Sequence, residues 1–162
     1  MSQTTAKAID FATVAARWLL GAWFVYLGLA KGLDPVSFLK LVRQYDLVQT
    51  PFLLNSIAGA LPWFEVFCGL LLLAGIAVRG TALTLTGVLI PFTAVVWRRA
   101  LVLQSARAIP FCAVKFDCGC GAGEEFICRK LLENAGLILL ALWLLAGRGR
   151  LLALRYSISN RP

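Results

Sequence analysis

Four long apolar stretches restrict what this chain can fold into more than any other feature. They run over about 11–30, 52–78, 81–97 and 131–146, each near the ~20 residues that a helix needs to cross a bilayer. Hydrophobic residues make up 60% of the chain and charged ones 15%, against roughly 45–50% and 25% in soluble proteins. The expected fold is all-α, a polytopic membrane four-helix bundle forming one domain over residues 1–162. A short amphipathic helix is expected after the first span, and a cysteine-rich loop over about 98–130 before the fourth. No internal repeat or low-complexity linker interrupts this plan.

The first span carries Arg17 and closes on Lys31. Gly28-Leu29-Ala30 could serve as a signal-peptide cleavage site, but Asp10 and Arg17 break up the usual charge pattern, and Trp18, Trp23 and Tyr26 suit a permanent span. Asp34-Pro35 then opens a helix, since Asp caps well and Pro is favoured at the first helical position. Within it Phe38, Leu41, Val42 and Tyr45 follow helical spacing while Lys40, Arg43 and Gln44 take the other side. That pattern suits either a helix lying on the membrane surface or a docking segment between spans. The second span contains Pro62, Glu65 and Cys68; Arg79-Gly80 is expected to turn the chain into the third, where Pro91 marks a kink.

The net charge of +8 does not point to nucleic acid, because Lys and Arg cluster at span ends and not on one face. There is no histidine and the sole methionine is Met1, which removes Ser-His-Asp and Cys-His catalysis, His-ligated haem and thioether ligation within the membrane. Cysteine is what remains. Cys112, Cys118, Cys120 and Cys128 sit together in FCAVKFDCGCGAGEEFIC. A disulfide across Cys118-Gly119-Cys120 would close a small strained ring and be readily reduced, with Gly119, Gly121 and Gly123 supplying permissive backbone. Lys115, Arg129 and Lys130 would favour thiolate, while Asp117, Glu124 and Glu125 would oppose it.

Three pairings of four cysteines are possible. The preferred one makes Cys118–Cys120 the exchanging pair, with Cys112 and Cys128 as a second pair that passes electrons on or pins the loop. A four-thiolate zinc or iron–sulfur site and purely structural disulfides are the alternatives; the C-x-C spacing is tighter than that of zinc sites, and no metal is assigned. Arg17 and Glu65 form a second constellation. Counted inward from the span ends they lie at comparable depth on antiparallel neighbours, and the cost of a lone charge in the bilayer predicts that they pair, as a proton path, a ligand site or a structural ion pair. Cys68, one turn from Glu65, reads first as a small apolar filler, and Trp63, Trp97 and Trp143 as interface or packing residues.

Arg17 with Gly21 and Gly28, then AKGLDPVSF, LPWFEVFCGLLLLAG and DCGCG, resemble the DoxX-like membrane proteins, in particular the branch named for the methylamine-utilisation protein MauE. The resemblance runs from about Arg17 to Leu145. It implies a redox-associated four-helix membrane protein in which Cys118 and Cys120 match the redox pair and Arg17, Lys31 and Glu65 the charged positions of the first two spans. It further implies a role in maturing a disulfide-rich periplasmic protein of the methylamine dehydrogenase type, alongside a thioredoxin-like partner. Gly121-Ala122 after the second cysteine, and the bracketing Cys112 and Cys128, depart from the family pattern.

The combined expectation is a multi-pass protein of a bacterial inner (plasma) membrane, a thiol–disulfide oxidoreductase or a component of one. Its partners would be the lipid bilayer and a thioredoxin-like or exported disulfide-containing protein, with a membrane quinone as a candidate cofactor and Arg17 and Glu65 as membrane-embedded cofactor-binding candidates. Both termini are placed in the cytoplasm, because the tail carries Arg148, Arg150, Arg155 and Arg161 without an acid, which leaves the cysteine loop on the oxidising side. The alternatives are a membrane anchor or assembly subunit with structural disulfides, and a thiosulfate:quinone oxidoreductase subunit of the DoxD kind.

Overall fold

The computed structural model describes residues 3–46, 50–119 and 123–147; Cys120, Gly121, Ala122 and the tail arginines lie outside them. The described chain forms α1 (Gln3–Gly32), α2 (Pro35–Gln44), α3 (Pro51–Ala74), α4 (Val78–Arg107) and α5 (Ile127–Ala146). Between α4 and α5 come a 3-10 turn, Phe111–Ala113, and two short strands, β1 (Lys115–Asp117) and β2 (Glu124–Phe126). The long helices pack in a ring, with α1 closest to α3 and α4 closest to α5, and α1–α5 and α3–α4 contacts closing it.

The side chains are distributed as a bilayer demands. Arg17, Lys31, Glu65, Lys130 and Asn134 are buried inside, whereas Phe11, Trp18, Leu19, Phe67, Leu83, Ile90, Leu132 and Leu139 face outward. In water so much exposed apolar surface would drive association; against lipid it costs nothing, and the polar groups find each other within the bundle. The chain is a polytopic helical membrane protein.

Three helices, α1 from Lys7, α3 and α4, are long and apolar enough to cross a membrane. The expected fourth span is the apolar part of α5, whose 20 residues give about 30 Å at 1.5 Å each. Arg129, Lys130 and Glu133 in its first turns keep it below that level of apolarity. Its buried residues Ile127, Lys130, Asn134, Leu137, Ala141 and Leu144 nevertheless form one stripe at helical spacing, and that stripe completes the bundle.

Several boundaries differ from the expected ones. The turn after the second span is not at Arg79-Gly80 but at Gly75, which takes φ 72°. Its amide donates to Leu72 O and that of Ile76 to Leu71 O, the paired bonds of a Schellman ending that glycine adopts without strain. Arg79 is already helical, and its guanidinium donates to Gly147 O at 2.9 Å, tying the start of α4 to the end of α5. The third span also outruns its apolar stretch: Arg98 and Arg99 end the hydrophobic run but are good helix formers, and the helix continues through Pro91 to Arg107. Val96 and Ala100 there pack with Val114, Cys118 and Ile127 in a second core. The cysteine loop therefore begins after Arg107, and Cys128 belongs to the first turn of α5.

The pairing of α1 with α3 rests on small residues. A Cβ built on Gly28 would lie 2.6 Å from Pro62 O, one on Gly69 2.7 Å from Gly21 O, and one on Gly21 2.9 Å from Gly69 O. Backbones this close maximise dispersion contact, as small residues do between membrane helices. Gly28→Val should therefore force the helices apart, lowering stability in detergent by about 1–3 kcal/mol or more. Fluorescence-detected unfolding checks it; an unchanged midpoint would mean that α1 and α3 do not meet this closely.

Candidate functional site

Cys112, Cys118 and Cys128 stand at one end of the bundle, where α1, α2, α3, α4 and α5 all have a terminus. The expected irregular loop contains a hairpin: β1 and β2 pair antiparallel with Lys115 opposite Phe126, Phe116 opposite Glu125 and Asp117 opposite Glu124. The Ile127 amide extends the ladder to Val114 O. Cys118 and Cys120 fall in the connection between the strands. Gly119 (φ 74°) and Gly123 (φ 79°) adopt the left-handed backbone that only glycine takes freely, and Asp117 Oδ1 accepts from the Gly119 amide at 2.9 Å.

Cys118 is disulfide-bonded and only 2% exposed; Cys120 is outside the described residues. Cys112 and Cys128 are joined in a second disulfide, with Cα atoms 5.1 Å apart. That bond takes two sulfurs out of any four-thiolate metal cage. Cys112 is exposed and Cys128 half-buried, and Cys128 packs against the core that contains Cys118. The loop thus presents one disulfide to the outside and holds Cys118 toward the inside. Of the cations expected to favour thiolate, Lys115 is matched by Glu124 at 3.5 Å and Lys130 by Glu133 at 2.7 Å.

The amphipathic helix α2 carries the floor of the loop. Asp34 caps it by accepting from the Ser37 amide at 3.1 Å, and Pro35 takes its first position; hydrogen bonding from Ser37, through its side chain first and then its amide, holds the exposed Asp34 carboxyl below its ordinary pKa. Phe38, Leu41, Val42 and Tyr45 turn inward while Lys40, Arg43 and Gln44 face out, so α2 docks on the bundle by the face its spacing marks. Tyr45 Oη donates to Cys118 O at 2.7 Å.

Burial, then the nearby Asp117 carboxylate, raise the Tyr45 phenol above its ordinary value. The folded protein holds this proton more tightly than the unfolded chain does. The associated stability is present below about pH 10 and is lost as pH rises through the higher folded value. Tyr45→Phe should cost about 1 kcal/mol through the lost bond and speed alkylation of the reduced Cys118. The difference titration of wild type against Tyr45→Phe should show a phenol ionising well above the ordinary range; one ionising normally would mean that Tyr45 is not packed under the loop.

Beneath the loop lies a buried cavity of about 200 Å³, walled by all four long helices. Its polar lining is Lys31 from α1, Glu65 from α3, and Lys130 and Asn134 from α5; Gly119 lies over it and Phe38 beside it. Lys31 pairs with Glu65 and sits 5.7 Å from the Phe38 ring centroid, within cation–π reach. Asn134 donates to Thr93 Oγ1 at 3.0 Å.

The expected Arg17–Glu65 pair does not form. Gly21 lies against Gly69 and Gly28 against Pro62, so α1 and α3 meet where their residue numbers sum to about 90. Arg17 is then level with residue 73, eight residues or about 12 Å from Glu65, whereas Lys31 is level with residue 59, close enough for its long side chain to reach Glu65. Which charges meet is decided by the register that the close glycine contacts set, not by depth counted from the span ends. Arg17 is buried outside the cavity, and Cys68 is a buried free cysteine in the core.

Two residues of the site were not expected to belong to it: Lys130, read as a loop cation beside the cysteines, and Asn134. The signal was available, since residues 130, 134, 137, 141 and 144 mark one face of a helix once its start at Ile127 is known. Chemically, the arrangement stacks an exposed disulfide, a buried disulfide-bonded cysteine and a cavity with charge-balanced hydrogen-bond donors along one path into the bundle.

The family model described as methylamine utilisation protein MauE matches residues 9–147. No curated protein and no solved structure is detectably similar to the chain.

Proposed function

The chain belongs to the methylamine utilisation protein MauE family, and on that basis we propose that it is a membrane thiol–disulfide redox protein that oxidises the thiols of an exported or thioredoxin-like partner. The process served would be maturation of a disulfide-containing protein outside the cytoplasm, of the methylamine dehydrogenase type. The single domain would lie in a bacterial inner membrane with both termini in the cytoplasm and the cysteine loop on the oxidising side. The observation that carries the reading is the gradation of burial along the loop, from exposed Cys112 through half-buried Cys128 to Cys118.

The steps balance as disulfide exchange. A partner thiolate attacks the Cys112 sulfur and displaces Cys128 as thiolate; the partner's second thiol resolves the mixed disulfide and leaves with a new disulfide of its own. The Cys128 thiolate then attacks the Cys118–Cys120 disulfide, and Cys112 closes back onto Cys128. Two electrons have moved from the partner to Cys118 and Cys120.

Redox titration in detergent with a thiol-alkylating mass tag, mapped by peptide mass spectrometry, tests this. Two reversible two-electron steps are expected in the region of exchange catalysts, about −120 to −270 mV. Disulfides that both resist reduction below about −300 mV would be structural staples, and the protein would be an anchor or assembly subunit instead.

A further inference from the structure

We propose that the pocket between the C-terminal end of α2 and the face of α4 bearing Arg98 and Arg99 holds the head group of an anionic phospholipid, with one acyl chain in the apolar cleft beside it. The site is independent of the disulfide chemistry proposed above.

The head-group pocket measures about 190 Å³ and is lined by Gln44, Tyr45 and Asp46 from the end of α2 and by Val95, Arg98 and Arg99 from α4. The α4 residues fall at i, i+3 and i+4, so one face of that helix supplies them. Two guanidiniums against one carboxylate leave the pocket with a net positive charge. Among the described residues neither arginine has an ion-pair partner, and a guanidinium matches the oxygens of a phosphate two at a time. The C-terminal end of a helix disfavours an anion, but in the last turn of α2 the Val42 and Arg43 carbonyls already accept from the Tyr45 and Asp46 amides.

Depth in the membrane favours a lipid. The helix α4 begins at Val78, and about 20 residues at 1.5 Å each cross the ~30 Å hydrocarbon core. Arg98 and Arg99 therefore emerge at the level of the lipid phosphates, on the side of the cysteine loop. Trp97 beside them is exposed, as tryptophans of the interfacial belt are.

The adjoining cleft selects an amphiphile. Tyr45 and Val95 also line an apolar cleft of about 200 Å³, together with Phe38, Ile57 and Pro91. Val95 and Pro91 lie one and two turns below the arginines, toward the middle of the membrane, and Pro91 is exposed. The two pockets thus share a wall, with charge at the interface and an apolar slot beneath it. A free phosphate would use only the upper part, whereas a phospholipid fills both. Tyr45, which donates to Cys118 O, borders both pockets, so the lipid would sit against the residue that holds the loop.

The test titrates full-length protein, delipidated in detergent, with dioleoyl phosphatidylglycerol and with dioleoyl phosphatidylcholine, and counts bound lipid by native mass spectrometry. Wild type should bind one phosphatidylglycerol at least about tenfold more tightly than phosphatidylcholine. Arg98→Gln/Arg99→Gln should lose that preference with an unchanged unfolding midpoint, because neither side chain holds another residue. Lys40→Gln/Arg43→Gln, which removes the same charge from the outward face of α2, should keep it. Equal affinity of wild type for the two lipids would overturn the site, and so would equal loss in both double variants, which is the mark of diffuse surface attraction. Millimolar inorganic phosphate should leave the bound phosphatidylglycerol in place; displacement would mean a free-phosphate site and would overturn the lipid.

Discussion

Oxidised wild-type protein is expected to oxidise two equivalents of a thioredoxin-like dithiol per chain, the Cys118→Ser/Cys120→Ser protein one, and the Cys112→Ser/Cys128→Ser protein almost none. In the last case the rate should fall by at least about two orders of magnitude, because Cys118 is buried and a protein thiolate must reach a sulfur in line with its disulfide to displace the leaving group. Cys112 offers that access. Stopped-flow mixing with acid quench and alkylation counts the equivalents. Wild-type speed in the Cys112→Ser/Cys128→Ser protein would reassign the outer disulfide to pinning the loop and make Cys118–Cys120 the entry point. Failure of the oxidised wild-type protein to oxidise the dithiol would end the exchange reading altogether.

Losing the outer disulfide also has a stability side. A bond closing a loop of separation 16 contributes about 3 kcal/mol on chain-entropy grounds. The Cys112→Ser/Cys128→Ser protein should therefore unfold earlier in denaturant yet remain helical, which separates a loosened loop from a protein that never inserted.

The second large effect concerns the ion pair under the loop. Lys31→Met should destabilise the bundle by about 3–5 kcal/mol, because it leaves the Glu65 carboxylate buried without its partner. Glu65→Leu alone should cost a similar amount by stranding Lys31. The double variant Lys31→Met/Glu65→Leu should recover most of the loss, since two apolar side chains of similar volume need no mutual charge to be buried. Unfolding in detergent measured as a double-mutant cycle gives the coupling directly. Additive losses would show that the two side chains do not depend on each other, and the register between α1 and α3 derived from their glycines would then be wrong.

Local features were legible in the chain because they depend on neighbours in sequence. Asp34 and Pro35 start α2 where capping chemistry puts it, and the faces of α2 follow from its own spacing. Gly119 and Gly123 take the left-handed backbone expected of glycines between close cysteines. The hairpin was not legible: three-residue strands carrying Lys115, Asp117, Glu124 and Glu125 show no apolar alternation, and they pair because Val114 and Ile127 anchor the open end of the ladder in the second core. The end of the third span was misplaced for a related reason, since charge ends an apolar run but not a helix.

Taken alone, the sequence determined that this protein lives in a membrane, that it is helical, and that cysteine is the reactive residue type its loop concentrates, because hydrophobic length, helix capping and residue inventory are properties of the chain itself. Only the tertiary structure decided that Glu65 meets Lys31 and not Arg17, that Lys130 and Asn134 point into a shared cavity, and that Cys118 is buried while Cys112 is exposed. Those outcomes depend on the sliding register and rotation of one helix against another. Here Gly21, Gly28 and Gly69 set that register by backbone fit, a constraint that acts between residues far apart in the chain.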